Sequence, residues 1–545
     1  MGKPIKGLLR DTIIPRPHEL RMKSTSRGAE LRGTHISKLV HTALLLSLLV
    51  ACGRESAPAS ISQDRLLVVA APGDGYGLGG DSEVGLYPLN TTIYEPLVRL
   101  SSDYRPEPML ATRWEYLRPN SWRFHLRGGV RFHDGSLLTA EGVRWTMERM
   151  ARRGAGATGI APGSTRVVDD STVDITPVFV NRRLPEQLVH PVYSIMAPGS
   201  DPTKHPVGTG PFRFVDYQPS NHITVARFDG YWGQHALLPG IIFRFVPDPA
   251  TRVLSLRAGE SDVVEEFPRE VRDSRVVRSP VSGYEALDVT IHGRPPYDLG
   301  GERALRHAIA AAVDRVRIAR DVWSGAADPL PTVVPAAAFG AFASRIRGVD
   351  YNPAAARAIL DSAGWRVGAD GVRTRRGRRL QLTMIVGFPN PTIHRPMPEL
   401  VQSALREIGI DVRIQQVADD GVYQARIRSG EGDLWAEAGG QNDANPCFLT
   451  QLLFYDGPRL HPSGYARLFA PGPALDRFVD ACREGETREE VERNAAEAER
   501  VLVDEEFIVI PLAATRRVWG VSSRVRGFVP QPSSLSQRWE GVSLH

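Results

Sequence analysis

The stretch Gly75-Tyr76-Gly77-Leu78-Gly79-Gly80 satisfies the G-x-G-x-x-G pattern of a phosphate-cradling loop. It follows an apolar run, 66–71, that reads as a buried strand, and Glu95 stands about 20 residues on, where a dinucleotide fold places its ribose acid. The pattern demands more than glycines. The loop must open a helix whose N-terminal amides hold the anion. Here DSEVGLYPLNTTIYEPL continues from Asp81, with Pro88 inside it and no long 3.6-residue apolar period. The segment is read as a Gly-rich loop after a first strand. His133, in Phe132-His133-Asp134-Gly135, invites metal or acid–base chemistry, but a turn explains the same string, with Gly135 supplying a positive φ at low cost. No G-x-S-x-G elbow, no H-E-x-x-H and no His pair at tight metal-ligand spacing occurs, so a protein-built metal cage is unsupported. With 14 His and many Ser, a triad assembled only in space stays open. Of the three cysteines, Cys447 and Cys482 could pair in an oxidising compartment, but two are no disulfide framework, and buried free thiols are the expectation.

The third cysteine ends the greasy run LLLSLLVAC. The apolar region 39–51 is too short for the roughly 20 residues of a spanning helix. It is preceded by Arg21, Lys23, Arg27, Arg32 and Lys38, and a basic region, a short apolar region and a small-residue end describe an export signal. Leu49-Val50-Ala51-Cys52 resembles the bacterial lipobox, which implies cleavage before Cys52 and lipidation of its thiol. Residues 1–51 are therefore read as a signal peptide, with Met22 an alternative start, and 52–63 as a lipidated Cys and flexible tether (GRESAPAS). The chain has 545 residues and a formal charge of +5. Four Lys and five Arg against Asp11, Glu19 and Glu30 put that whole excess in the removed segment. The remaining body is near neutral, which gives no basic field for nucleic acid.

Strand-like and helix-like segments alternate along that body. Residues 122–126 alternate at period 2, and Thr139 then reads as an N-cap of a helix over 140–150 with Val143 and Met147 on one face. Strand 241–246 is broken by Pro247-Asp248-Pro249 before a helix over 251–258 that ends at Gly259. Leu305, Ile309, Val313 and Val316 recur on one face of a helix over 301–322. Asn352-Pro353 opens a further helix. Strands 380–386 and 412–416 flank a helix over 398–408, a strand–helix–strand unit. Thr487 caps a helix over 488–503, with Glu490 completing a capping box, and strand 507–510 follows. The interleaving predicts α/β with mixed sheets, and the length predicts two lobes.

Eight segments in order resemble one family, the extracytoplasmic solute-binding proteins of ABC importers, in the peptide and nickel subgroup. They are YEPL from Tyr94; LATRWE from Leu110; RFHLRGGVRFHDGSLLTAEGVRWTMERM from Arg123; VGTGPFRF from Val207; YWG from Tyr231; PDPATRVLSLRAGESDVV from Pro247; ALRHAIAAAVDR from Ala304; and YNPAAARAILDSAGW from Tyr351. The resemblance covers about residues 64–545 and implies a two-lobed periplasmic-binding-protein-like fold of type II, in the large peptide-binder variant, with a hinge. It implies lobe I from 64–95, 206–290 and 505–545, an accessory subdomain over 96–205, and lobe II over 291–504.

The resemblance also points to where a ligand would be read. The loop after a second-lobe strand, within GDLWAEAGGQNDANPCFLTQLLF from Gly432, faces the ligand in that family. Peptide binders place an Asp there to pair with an ammonium. Gln441 stands closest to that place, Asn442 follows, and Asp443 lies two residues away, where it either meets a ligand or caps the helix after Pro446. Arg395 stands near the family's carboxylate-binding Arg, and a guanidinium suits that role. His190 and Tyr193, in HPVY, lie where the nickel branch has a cleft-facing basic residue, and Trp435 either stacks on a ligand or fills core. The implied function is a lipid-anchored receptor of the cell envelope, in the periplasm or on the outer face of the cytoplasmic membrane, that delivers a small peptide or related solute to permease subunits as a monomer without cofactor. A metal chelate is the alternative ligand, and an envelope-anchored hydrolase the alternative of another class.

Overall fold

In the computed structural model, the residues described are 66–73, 92–152, 158–268, 275–323, 326–387, 396–417, 420–457, 466–531, 533, 535 and 537–545. The export signal, Cys52, its tether, the Gly-rich 75–80 loop and Arg395 lie outside them.

Three sheets organise the body. The first lobe holds a seven-stranded mixed sheet in the order Arg275–Arg278, Val518–Val521, Val263–Val264, Leu67–Ala71, Gly240–Phe245, His222–Arg227, Phe212–Gln218. Leu67–Ala71 runs parallel to both its neighbours, and the outer pairs are antiparallel. An antiparallel four-stranded sheet, Ala111–Leu117, Ser121–Leu126, Thr172–Ile175, Thr165–Asp169, forms the accessory region. The second lobe holds a six-stranded mixed sheet: Ala327–Asp328, Val509–Thr515, Gly283–Val289, Leu434–Gly440, Gln381–Gly387, Asp411–Val417.

The side-chain period of two decides how that last sheet is buried. Tyr284 and Ala286 join Trp435 in one apolar core, while Leu287 and Val289 join Leu434 and Ala436 in another. Both faces are therefore covered, which is why these strands carry near-continuous apolar runs. The expected strand–helix–strand unit is present, with Gln381–Gly387 and Asp411–Val417 parallel around the helix Pro396–Glu407.

The chain passes between the two large sheets twice, at 279–282 and at 516–517. The crossings lie side by side. Ser279 N–H donates to Arg517 O (3.0 Å), Arg517 N–H donates to Ser279 Oγ (3.0 Å), and Ser282 N–H donates to Thr515 O (3.1 Å). The lobe boundaries read from sequence, 290/291 and 504/505, differ from this. Strands Gly283–Val289 and Val509–Thr515 both belong to the second sheet, because Leu287, Val289, Ile510 and Leu512 are buried in its core.

One buried carboxylate ties together the two first-lobe segments from which the accessory region departs and to which it returns. Glu95 Oε2 accepts from Thr209 Oγ1 (2.7 Å) and Trp232 Nε1 (2.9 Å), and Oε1 accepts from Tyr231 OH (2.7 Å). Gly208 and Gly210 let the connection pass tightly, since a Cβ on either would collide with the carbonyl oxygens of Ile93 and Thr92. His133 closes the same junction. Its Nε2 hydrogen bonds Gly210 O (3.0 Å) and its Nδ1 accepts from Gly208 N–H (3.3 Å). The FHDG string thus serves a structural purpose. Gly135 has φ +87°, and burial lowers His133 to about 4, keeping the ring neutral in this bridging tautomer.

Candidate functional site

Fold and sequence together direct attention to the seam where the second lobe meets the accessory region. The strand Leu434–Gly440 ends there and releases the loop 441–447. Ala444 N–H donates to Glu186 O across the seam (3.0 Å), and the Ala444 side chain packs into the accessory core. Gln187 Nε2 faces Gln451 Oε1 at 3.5 Å, and Ser533 Oγ donates to Asn442 Oδ1 (2.7 Å), bringing in the C-terminal part of the chain.

The loop is knotted by its own polar side chains. Gln441 Nε2 donates to Asp443 Oδ1 (2.8 Å), Asp443 O (3.1 Å) and Asn445 O (2.8 Å). Asp443 Oδ1 also accepts from Asn445 N–H (2.9 Å), and Asn445 Oδ1 accepts from Cys447 N–H (3.1 Å). Asp443 therefore ties the turn and does not cap the helix Phe448–Phe454, which begins after Cys447. All three residues are buried, yet Gln441 Oε1 and Asn445 Nδ2 have no protein partner. Gln441 Oε1 is thus an unused acceptor and Asn445 Nδ2 an unused donor in the same buried loop.

The other candidates separate. His190 is buried, its Nδ1 accepts from Val192 N–H (3.2 Å) to cap the short helix Pro191–Tyr193, and its ring lies 6.0 Å from Phe448 across the seam. Tyr193 packs in the accessory core, with its hydroxyl 3.4 Å from Thr158 Oγ1. Trp435, one of whose readings was a stacking platform, is core: it is fully buried, edge-on to Tyr423 at 5.1 Å, with Nε1 donating to Thr290 Oγ1 (3.2 Å). The free-thiol expectation is corrected outright. Cys447 and Cys482 form a disulfide, because the 441–447 loop and the helix Pro473–Glu484 bring their Cα atoms to 6.5 Å.

Two acids face the same side of the second sheet. Asp288 and Glu437 are diagonal neighbours on adjacent strands. Burial, and then the Glu437 charge, push Asp288 well above the usual carboxylate range. Among the described residues no cluster of three or more His, Cys, Asp or Glu can hold a metal. No described helix is long and apolar enough to cross a membrane.

Residues 105–459 match the family described as bacterial extracellular solute-binding proteins, family 5. The chain belongs to that family. Among family-5 relatives, the glutathione-binding protein GsiB of Salmonella choleraesuis is 26% identical over 483 residues, covering 81% of this chain and 87% of that protein. The dipeptide-binding protein of Escherichia coli is 24% identical over 482 residues, covering 80% and 86%. NikA from Brucella suis, solved in complex with Fe(III)-EDTA, superposes with TM-score 0.74 at 22% identity, over 88% of this chain and 99% of that one. DppA from Helicobacter pylori, solved with the peptide STSA, gives TM-score 0.70 at 22% identity, over 88% and 98%. The two-lobed fold is thereby shown.

Sequence reading of this family-5 chain missed Asn445 and Arg483. Asn445 sat in the quoted loop, and the alternation of Gln441, Asp443 and Asn445 was its signal. Arg483 gave none, because in so Arg-rich a chain nothing local distinguishes a buried guanidinium from a solvated one.

Proposed function

We propose that this chain is the extracytoplasmic receptor of an ABC importer. It captures a small peptide or related solute between its lobes and delivers it to membrane permease subunits. The observation that carries this reading is the pair of adjacent crossings at 279–282 and 516–517, which are the two places where the chain passes between the two large sheets, in a chain that belongs to a solute-binding family. Two neighbouring connections act as a hinge, and a cleft between hinged lobes is a favoured place for a ligand. Relatives named for glutathione and for dipeptides support a short peptide.

The loop 441–447 forms one wall. Asp443 is committed to the turn, so free-ammonium recognition falls to other acids, and Gln441 and Asn445 offer neutral hydrogen bonds. Arg395 is proposed to meet a carboxylate. His190 and Tyr193 act from within the opposite wall, as supports. The lobe assignment (a first lobe with accessory region 96–205, and a second lobe between the crossings at 279–282 and 516–517) is part of the same proposal. Cleavage before Cys52 and its lipidation would tether the body to a membrane. Bacterial lipoproteins carry several chains, in line with the need for more than one for stable anchoring.

A metal chelate is the second reading, favoured by the superposition on NikA with its Fe(III)-EDTA. With no metal cluster among the described residues, the chelator would have to bring its own ligands. Calorimetry and small-angle scattering on residues 53–545 test both. A 1:1 complex with a peptide or chelate, accompanied by compaction, is expected. A broad panel that neither binds nor compacts the protein contradicts the proposal.

A further inference from the structure

Arg483 belongs to the second lobe, on the helix Pro473–Glu484, but its head group is buried against the accessory region. Its Nε donates to Val180 O (3.0 Å), its Nη2 to Asp480 Oδ1 (2.5 Å), and its guanidinium carbon lies 4.8 Å from the Phe179 ring centre. The backbone joins in. Arg182 N–H donates to Arg483 O (3.0 Å), and Arg183 Nη2 donates to Gly485 O (3.0 Å). Glu486 pairs with Arg182 (2.9 Å) and, more loosely, with Arg118 (3.4 Å).

Both sides are preorganised. On the accessory side, Asn120 Nδ2 donates to Pro177 O and Phe179 O, and its Oδ1 accepts from Asn181 N–H. Asn181 is itself held by Thr158 O and Gln187 Oε1. On the second-lobe side, the Thr487–Glu490 capping box fixes the backbone just past the helix, with Glu490 also accepting from Glu486 N–H. Next to Arg483, Cys482 is bonded to Cys447 of the knotted cleft loop.

We infer that Arg483 is a positioning residue for solute capture. It is a plug that seats in the 177–183 socket when the lobes close, and the Cys447–Cys482 disulfide makes plug and cleft loop one mechanical unit. The inference rests on the closing-receptor reading. Its logic is that of a state-specific contact. With the lobes apart, Arg483 regains water and keeps Asp480, so the plug biases closure without being needed to fold either lobe. Part of the closing free energy is thus supplied away from the ligand, which slows ligand escape in particular.

The test uses spin labels on D170C and R357C, two exposed positions in the accessory region and the second lobe, in residues 53–545 with the native disulfide intact. Distances are read in the unliganded protein, so the outcome stands apart from whether any peptide binds. R483A is expected to shift the distribution to longer distances, and the surface variants E486A and R182A to do so less. R483K should not restore the short distance, because an ammonium cannot reach Val180 O, Asp480 and the Phe179 face together. With a dipeptide or glutathione bound, R483A should release it at least about tenfold faster. Unchanged distances in R483A and E486A overturn the inference. So does an R483A that fails to fold while E486A and R182A leave the distances unmoved.

Discussion

Glu95 and His133 sit at one junction and titrate in opposite senses. Burial raises Glu95 to about 7, against three donors that pull it down. An unfolded Glu titrates near 4.3. Between those values the folded chain holds the extra proton, so this group's contribution to stability falls as pH rises and is fully lost above about 7. His133, lowered to about 4, does the reverse: its contribution falls as pH drops from about 6.5 to about 4. E95Q should therefore remove a pH-dependent loss on the order of 3 kcal/mol between pH 4.5 and 7.5, read as a flatter denaturation-midpoint profile. An unchanged profile would show that Glu95 is not the titrating group. H133Q should lose the Gly208–Gly210 bridge in part and melt earlier at neutral pH by roughly 1–2 kcal/mol, with the acid-side slope reduced. At this scale the sequence was readable where a residue acts on near neighbours, as in the FHDG turn. It was unreadable for Glu95, whose three donors come from 209, 231 and 232, and for Asp443, where one string allowed two roles until the turn geometry separated them.

Among elements, the start signals proved the most legible feature. Thr139 accepts from Gly142 N–H, Asn352 from Ala355 N–H, and Thr487 with Glu490 forms the full capping box. T487A should cost about 1 kcal/mol of stability by denaturant titration. The helix expected over 301–322 is two, Arg303–Ala312 and Arg315–Trp323. Asp314 explains the break, since its Oδ1 accepts from Arg317 N–H (2.9 Å) and so starts a new helix, leaving Val316 exposed instead of in the apolar stripe. A helical period counts apolar residues but is blind to a cap inside it. The disulfide was likewise invisible, because a 35-residue separation carries no geometry until the loop and helix are packed. Breaking it with C447S/C482S should lower stability by roughly 2–4 kcal/mol and loosen the cleft loop, seen as faster amide exchange over 441–447. Loss of stability with unchanged exchange there would mean that the polar knot alone orders the loop.

For the whole molecule, alternation of strands and helices gave the α/β class and length gave two lobes, while the division of segments between the lobes came from resemblance to a family. Periodicity does not say which sheet a strand joins. That is why the reading from sequence did not group 283–289 and 509–515 with the second sheet, in which they pair: their partners lie more than a hundred residues away in the chain. The address is separable from the body by the same logic. C52S should abolish partitioning with membranes and leave ligand affinity unchanged, whereas unchanged partitioning would refute the lipobox reading. The central claim is capture by closure. It is met most directly by scattering from residues 53–545, titrated with short peptides, glutathione and nickel chelates. One ligand class should reduce the radius of gyration saturably with 1:1 stoichiometry. A radius that stays constant through saturating binding, or no binding across the panel, would contradict it.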